Sequence, residues 1–147
     1  MPQVAVVLGS RSDESVMEAC GEVLEGFGIS YEVRVYSAHR APEKVRAYAL
    51  GARERGIQLF IAAAGGAAHL PGVLASWTSL PVIGVPLATS ELKGLDSLYS
   101  IVQMPPGMPV ATVSVGAWGA RNAAYLAAQI IALQDEQIGR ASCRERV

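Results

Sequence analysis

Two histidines and two cysteines are all that this chain of 147 residues carries of either type, and aromatic residues make up only 6% of it. So few cysteines build no disulfide framework. A chain of this length needs none, because it can bury roughly two-thirds of its unfolded surface as a single domain. Cys20 falls in register with Val16, Val23, Leu24 and Phe27 on one helical face, so it is expected in the core. Positive charge is equally scarce. Twelve Lys and Arg against 13 Asp and Glu give a net charge of -1, which argues against duplex nucleic acid as a partner, since neutralising phosphates takes clustered cations. No apolar run reaches membrane-spanning length; the stretch from Asn122 to Leu133 is far too short. Met1-Pro-Gln3 leads straight into a strand-like run without a basic flank or cleavage site, so a cytoplasmic protein is expected. Neither a Walker loop nor a G-x-G-x-x-G fingerprint occurs, which argues against nucleoside triphosphates and dinucleotides.

What the chain has in quantity is small aliphatic side chains, with 51% hydrophobic residues. They permit close approach of helices and of subunits, which points to an oligomer. Short apolar runs alternate with segments of helical periodicity. Strands are expected at Val4–Leu8, Tyr31–Val35, Leu59–Ala63, Pro81–Val85 and Val110–Val115. Helices are expected at Glu14–Phe27, from Pro42 to about Arg55, at His69–Trp77, at Leu92–Val102 and from Gly119 to about Gln137. Such alternation implies parallel βαβ units with right-handed crossovers, hence a three-layer αβα sandwich around a central parallel sheet, flavodoxin-like in kind. Residues 1–137 would form the single domain.

Ligands bind open α/β sheets at the carboxyl ends of their strands, and three loops there carry chemistry. The first, Gly9-Ser-Arg-Ser-Asp13, offers hydroxyls and a carboxylate at a helix start. Ser10 and Asp13 also have the spacing of a capping box, so the loop serves a helix end as readily as a ligand. The second, Ser37-Ala-His-Arg-Ala-Pro42, sets His39 beside the permanent cation of Arg40, apt for a phosphate; the bland alternative pairs Arg40 with Glu43. The third runs from Ala64 to Gly72 and holds His69 among small residues, which lets backbone N–H groups approach a ligand or merely makes a tight turn. Together the loops suit a phosphorylated sugar bearing a group that exchanges protons.

These loops, with Leu80-Pro-Val-Ile-Gly-Val-Pro86, the run from Gly94 to Pro105 and Asn122-Ala-Ala-Tyr-Leu-Ala-Ala-Gln-Ile131, resemble the 5-(carboxyamino)imidazole ribonucleotide mutases of purine biosynthesis. The resemblance covers about Val4 to Gln137. It implies an isomerase that moves a carboxylate from the exocyclic amine of the substrate imidazole to a ring carbon, through trapped carbon dioxide and without cofactor or metal. His39 would be the general acid and base. Ser10 and Asp13 would hold the ribose and phosphate end and Arg40 the phosphate. Ser12, Ser37, Ala38, Gly65, Ala68, His69 and Leu70 would surround the base and carboxylate. A homo-octamer is implied as well. A related branch carboxylates aminoimidazole ribonucleotide directly, but Arg40 and the intact Gly65–Gly72 loop are similar to the mutases. Ala63 and Trp118 depart from the family pattern, at positions that bear on loop mobility and packing. A reading from another class is a non-catalytic module that binds a phosphorylated metabolite.

The last ten residues, Ile138-Gly-Arg-Ala-Ser-Cys-Arg-Glu-Arg-Val147, resemble translated sequencing adapter, since ATC GGA AGA GCG TCG TGT AGG GAA AGA GTG encodes them. They are expected to be a non-native tail that stands in place of the family's further C-terminal helix.

Overall fold

A computed structural model describes residues 1–144. Five strands, β1 (Val4–Leu8), β2 (Tyr31–Val35), β3 (Leu59–Gly65), β4 (Val82–Leu87) and β5 (Ala111–Thr112), form one sheet in the order β2-β1-β3-β4-β5. Every pair is parallel. Val6 lies opposite Val33 on one side and Ile61 on the other, and Ile61 opposite Ile83. Parallel strands covered on both faces read as unbroken apolar runs, and β1 and β4 are buried throughout.

Alternate residues of β1 serve opposite faces, as the two-residue period of a strand requires. Val4, Val6 and Leu8 join Met17, Cys20 and Leu24 of α1 (Glu14–Gly26) and an alanine face of α5 (Ala117–Ala132) that includes Ala120, Ala124 and Ala127. Those small side chains let α1 and α5 lie close together over the sheet. Ala5 and Val7 join Val45 and Tyr48 of α2 (Pro42–Leu50), Leu70 and Leu74 of α3 (Leu70–Trp77) and Ile101 of α4 (Leu95–Val102) on the other face. Each large side chain fully buried in this way is worth about 1.5–3 kcal/mol. The expected sandwich is therefore present, with Cys20 fully buried in it.

Several boundaries differ for local reasons. The helix after Pro42 stops at Leu50, and Arg53–Arg55 form a separate 3-10 turn closed by Gly56 in the left-handed region. α4 starts at Leu95 instead of Leu92 because Lys93 and Gly94 both have positive φ, which no helix accommodates. β5 shrinks to two paired residues at the sheet edge. β4 runs on to Leu87, two residues beyond its expected end.

Residues 136–144, which take in most of the segment expected to be a non-native tail, are helical. Chain leaves α5 at Leu133, and the Asp135 carboxylate accepts the backbone N–H groups of Gln137 and Ile138 at 3.0 and 3.3 Å. That cap opens α6 (Glu136–Arg144), whose Ile138 packs into the α1/α5 side of the core. The remainder of the tail, residues 145–147, lies outside the described residues.

Candidate active site

The strand order reverses direction between β1 and β3, and the two chains leaving that point diverge to leave a crevice at the carboxyl edge of the sheet. A cavity of about 270 Å³ lies there. β1 delivers Gly9, Ser10, Ser12 and Asp13 to its lining, β2 delivers Ser37, Ala38 and His39, and β3 delivers Ala64, Gly65, Ala67, His69 and Leu70.

The first loop is a capping box in full. Ser10 Oγ accepts the N–H of Ser12 at 3.3 Å, and the Asp13 carboxylate accepts the N–H of Ser10 at 3.1 Å. Capping and cavity lining are thus compatible here. Asp13 is almost wholly buried. Burial lifts its carboxyl above the ordinary aspartate range, and the bond from Ser10 pulls it back only in part. Ser10 and Ser12 share a hydroxyl contact of 2.9 Å at the cavity rim.

After β2 the chain turns tightly, with the N–H of Arg40 on Ser37 Oγ at 3.2 Å and that of Ala41 on the Ser37 carbonyl at 2.9 Å. This turn aims the His39 ring at the cavity. Arg40 is exposed next to it and does not line the cavity itself; its guanidinium makes no ion pair with Glu43 or any other described residue. After β3, Gly66 takes positive φ and the His69 N–H bonds to the Ala67 carbonyl at 2.8 Å, a kink that ends where α3 begins. Ala68 is buried beneath that kink and Ala67 faces the cavity in its stead.

The two histidines meet. Nε2 of His39 lies 2.6 Å from Nδ1 of His69, with the rings perpendicular and their centroids 4.8 Å apart. One imidazole donates to the other across the junction of the β2 and β3 loops.

One lining residue comes from a loop that sequence reasoning passed over. Thr89, beyond β4, leans across Gly65, where a Cβ would overlap the threonine hydroxyl. Glycine is therefore required at 65 by contact, whatever its backbone freedom. The available signal was position, since Thr89 sits two residues past the carboxyl end of a central strand.

A polar, strand-end cavity with two linked imidazoles, a buried carboxylate and three serine hydroxyls is equipped for proton transfer on a small oxygen-rich ligand. Among the described residues no helix is long and apolar enough to cross a membrane.

The chain is 56% identical over 140 residues to the N5-carboxyaminoimidazole ribonucleotide mutase of Thermotoga maritima, covering 95% of this chain and 81% of that protein. It is 57% identical to the one from Saccharolobus solfataricus, over 94% of this chain and 86% of that protein. A crystal structure of Treponema denticola PurE superposes with a TM-score of 0.87 at 30% identity, over 99% of this chain and 90% of that one. The family model for AIR carboxylase matches residues 3–146, and on that extent of agreement the chain belongs to the AIR carboxylase family.

Proposed function

We propose that the protein is an N5-carboxyaminoimidazole ribonucleotide mutase acting in purine biosynthesis. It converts 5-(carboxyamino)imidazole ribonucleotide to 4-carboxy-5-aminoimidazole ribonucleotide. The observation that carries this reading is His39, held against His69 in a strand-end cavity, in a chain 56% identical to a protein of that name. Direct carboxylation of aminoimidazole ribonucleotide is the less favoured reading, because the relatives sharing more than half their residues with this chain are named as mutases.

In the proposed mechanism the carbamate leaves as carbon dioxide, which stays in the cavity while the enamine-like ring carbon attacks it. A proton reaches the amine and another leaves the carbon, and His39 serves these transfers as general acid and base. Ser10 and Asp13 hold the ribose and phosphate end. Arg40, with no carboxylate partner among the described residues, is free to meet the phosphate at the cavity mouth. Ser12, Ser37, Ala38, Gly65, Ala67, His69 and Leu70 enclose the base and carboxylate, with Ala68 packed behind them, and their closeness excludes water that would carry off the carbon dioxide.

The protein works in the cytoplasm as a homo-octamer. Support for assembly comes from Leu95, Tyr99 and Val102, spaced to lie along one side of α4 and all exposed, and from Trp118 at 80% exposure. Residues 138–147 are foreign to this chemistry in our reading; finding their codons contiguous in the source genome would overturn that.

The test is direct. The purified protein mixed with the carbamate is expected to yield the carbon-carboxylated isomer well above the uncatalysed rate, and conversion at background sinks the reading. Aminoimidazole ribonucleotide supplied with bicarbonate tests the direct carboxylation.

A further inference from the structure

We propose that the Thr89 hydroxyl donates a hydrogen bond to the migrating carboxylate, so that Thr89 distinguishes the carboxylated ribonucleotides from bare aminoimidazole ribonucleotide. The inference rests on the reaction proposed above and adds a substrate contact from beyond β4 to those from the loops after β1, β2 and β3.

Position is the first ground. β4 pairs with β3 as far as Leu87, which lies opposite Gly65, so Thr89 stands two residues past the sheet beside the loop that carries His69. A Cβ at Gly65 would overlap Thr89 Oγ1 and crowd its Cγ2. Because residue 65 has no side chain, the hydroxyl rests against its backbone at the cavity wall. Both flanks of Thr89 are tied to α4. The buried Ser97 hydroxyl donates to the Leu87 carbonyl at 2.8 Å, and Ser90 Oγ donates to the Asp96 carboxylate at 2.6 Å. A group anchored on either side has little freedom left to lose on meeting a ligand, which suits it to positioning.

Availability is the second ground. The serine hydroxyls of the lining are engaged: Ser10 and Ser12 meet each other at 2.9 Å, and Ser37 Oγ accepts the Arg40 N–H at 3.2 Å. Thr89 Oγ1 has no hydrogen-bond partner among the described residues. Its proton and its lone pairs are both uncommitted.

The strand order selects the part of the substrate that Thr89 meets. β1 and β3 separate β2 from β4, so Thr89 lies across the cavity from the loop of Ser37 and Arg40. With the phosphate at Arg40 and the ribose end at Ser10 and Asp13, the imidazole and its carboxylate are what remains to reach the β3 and β4 side. A carboxylate only accepts hydrogen bonds, and a bond to its charged oxygen is roughly twice as strong as one between neutral groups. A threonine hydroxyl keeps its own proton throughout, so Thr89 holds the carboxylate and leaves proton transfer to His39. Binding of that kind shows in KM and not in kcat.

The test compares two ligands that differ by the carboxylate alone, 4-carboxy-5-aminoimidazole ribonucleotide and aminoimidazole ribonucleotide, by equilibrium binding to the purified protein. Thr89→Val exchanges the hydroxyl for a methyl group. It is expected to weaken the carboxylated ligand by about 10- to 100-fold and the other by less than about threefold. KM for the carbamate should rise by a similar factor while kcat stays within about threefold. Thr89→Ser keeps the hydroxyl and is expected to bind both ligands within about threefold of wild type. Since the added methyl of valine also crowds Gly65, Thr89→Ala is measured beside it and must show the same selective loss. If valine or alanine weakens both ligands alike or neither, or if serine loses the carboxylated ligand as they do, the proposal is overturned. Conversion of the carbamate by wild type is followed separately. Conversion without selective loss in the variants overturns the Thr89 contact alone, whereas selective loss in a protein that leaves the carbamate unconverted overturns the reaction assigned to it.

Discussion

The cavity at the strand ends, at about 270 Å³, has half the volume of the groove of about 540 Å³ that runs between α1 and β2. Size favours the groove and chemistry favours the cavity. Glu14, Glu18, Glu22 and Glu25 border the groove from successive turns of one helix, above a floor that includes Val6, Leu8 and Met17. These are like charges on a solvated stripe, without an opposing base, hydroxyl cluster or glycine loop. The cavity instead gathers side chains from loops after β1, β2, β3 and β4, which no single element could bring together. Convergence from separate strands, and not volume, distinguishes a place where reacting groups can be held against one another.

Removing the central group of each region should break the comparison most sharply. His39→Asn is expected to lower turnover of the carbamate by about 10²–10⁴-fold, the usual worth of a positioned general acid and base. Glu22→Gln, in the larger groove, is expected to leave turnover within about twofold. A Glu22 variant as impaired as the His39 variant would move the active site to the groove.

The next largest contrast uses two glycines that both lie against a side chain. A Cβ at Gly65 would overlap the Oγ1, Cγ2 and Cβ atoms of Thr89, so Gly65→Ala forces backbone to move in the cavity wall. The expected cost is about 1–3 kcal/mol of stability from overpacking, with turnover down by up to about 100-fold as the His69 loop is displaced. Adding Thr89→Gly clears the space and should restore most of the turnover. In the groove, a Cβ at Gly21 would meet the Tyr31 hydroxyl, which donates to Glu25 at 2.7 Å. Loss of that hydrogen bond costs about 0.5–1.5 kcal/mol. Gly→Ala within a helix returns roughly as much. Gly21→Ala is therefore expected to change the urea midpoint little and turnover not at all.

How far each region was legible follows from the range of its interactions. The apolar runs of β1 to β4 and the periodicity of α1 are local, so the layered fold and the three loops at its carboxyl edge could be read from order alone. Ser10 and Asp13 were legible as a capping box for the same reason, since all its partners lie within four residues. The contact between His39 and His69 was not, because thirty residues separate them and only the pairing of β1 with both β2 and β3 brings their loops together. Thr89 was hidden by the same distance. The late start of α4 was hidden by two residues with positive φ, one of them Lys93, a residue type that gives no warning of it. α6 went unread because its sequence looked foreign, yet an Asp135 cap and one buried isoleucine suffice to order it on α5.

The smallest expected effect concerns whether the cavity, unlike the groove, gives up stability for its chemistry. Asp13 is buried and its carboxyl is held above the ordinary aspartate range by that burial. A carboxyl raised in the folded state binds its proton more tightly there than in the unfolded chain. The resulting destabilisation is complete above the folded value and disappears below the ordinary aspartate value of 3.8. Asp13→Asn keeps an oxygen to accept the Ser10 N–H and removes the buried charge. Its thermal midpoint is therefore expected to exceed that of wild type at neutral pH, and the two curves should converge as the pH falls through the folded value towards and below the ordinary one. The same variant is expected to bind the ribonucleotide more weakly, since the proposed ribose contact loses its charge. Glu22→Gln at the exposed rim of the groove should shift the midpoint by less and show no change in ligand binding. If Asp13→Asn proves less stable than wild type at neutral pH, the carboxylate is there for the helix and the cavity carries no such cost.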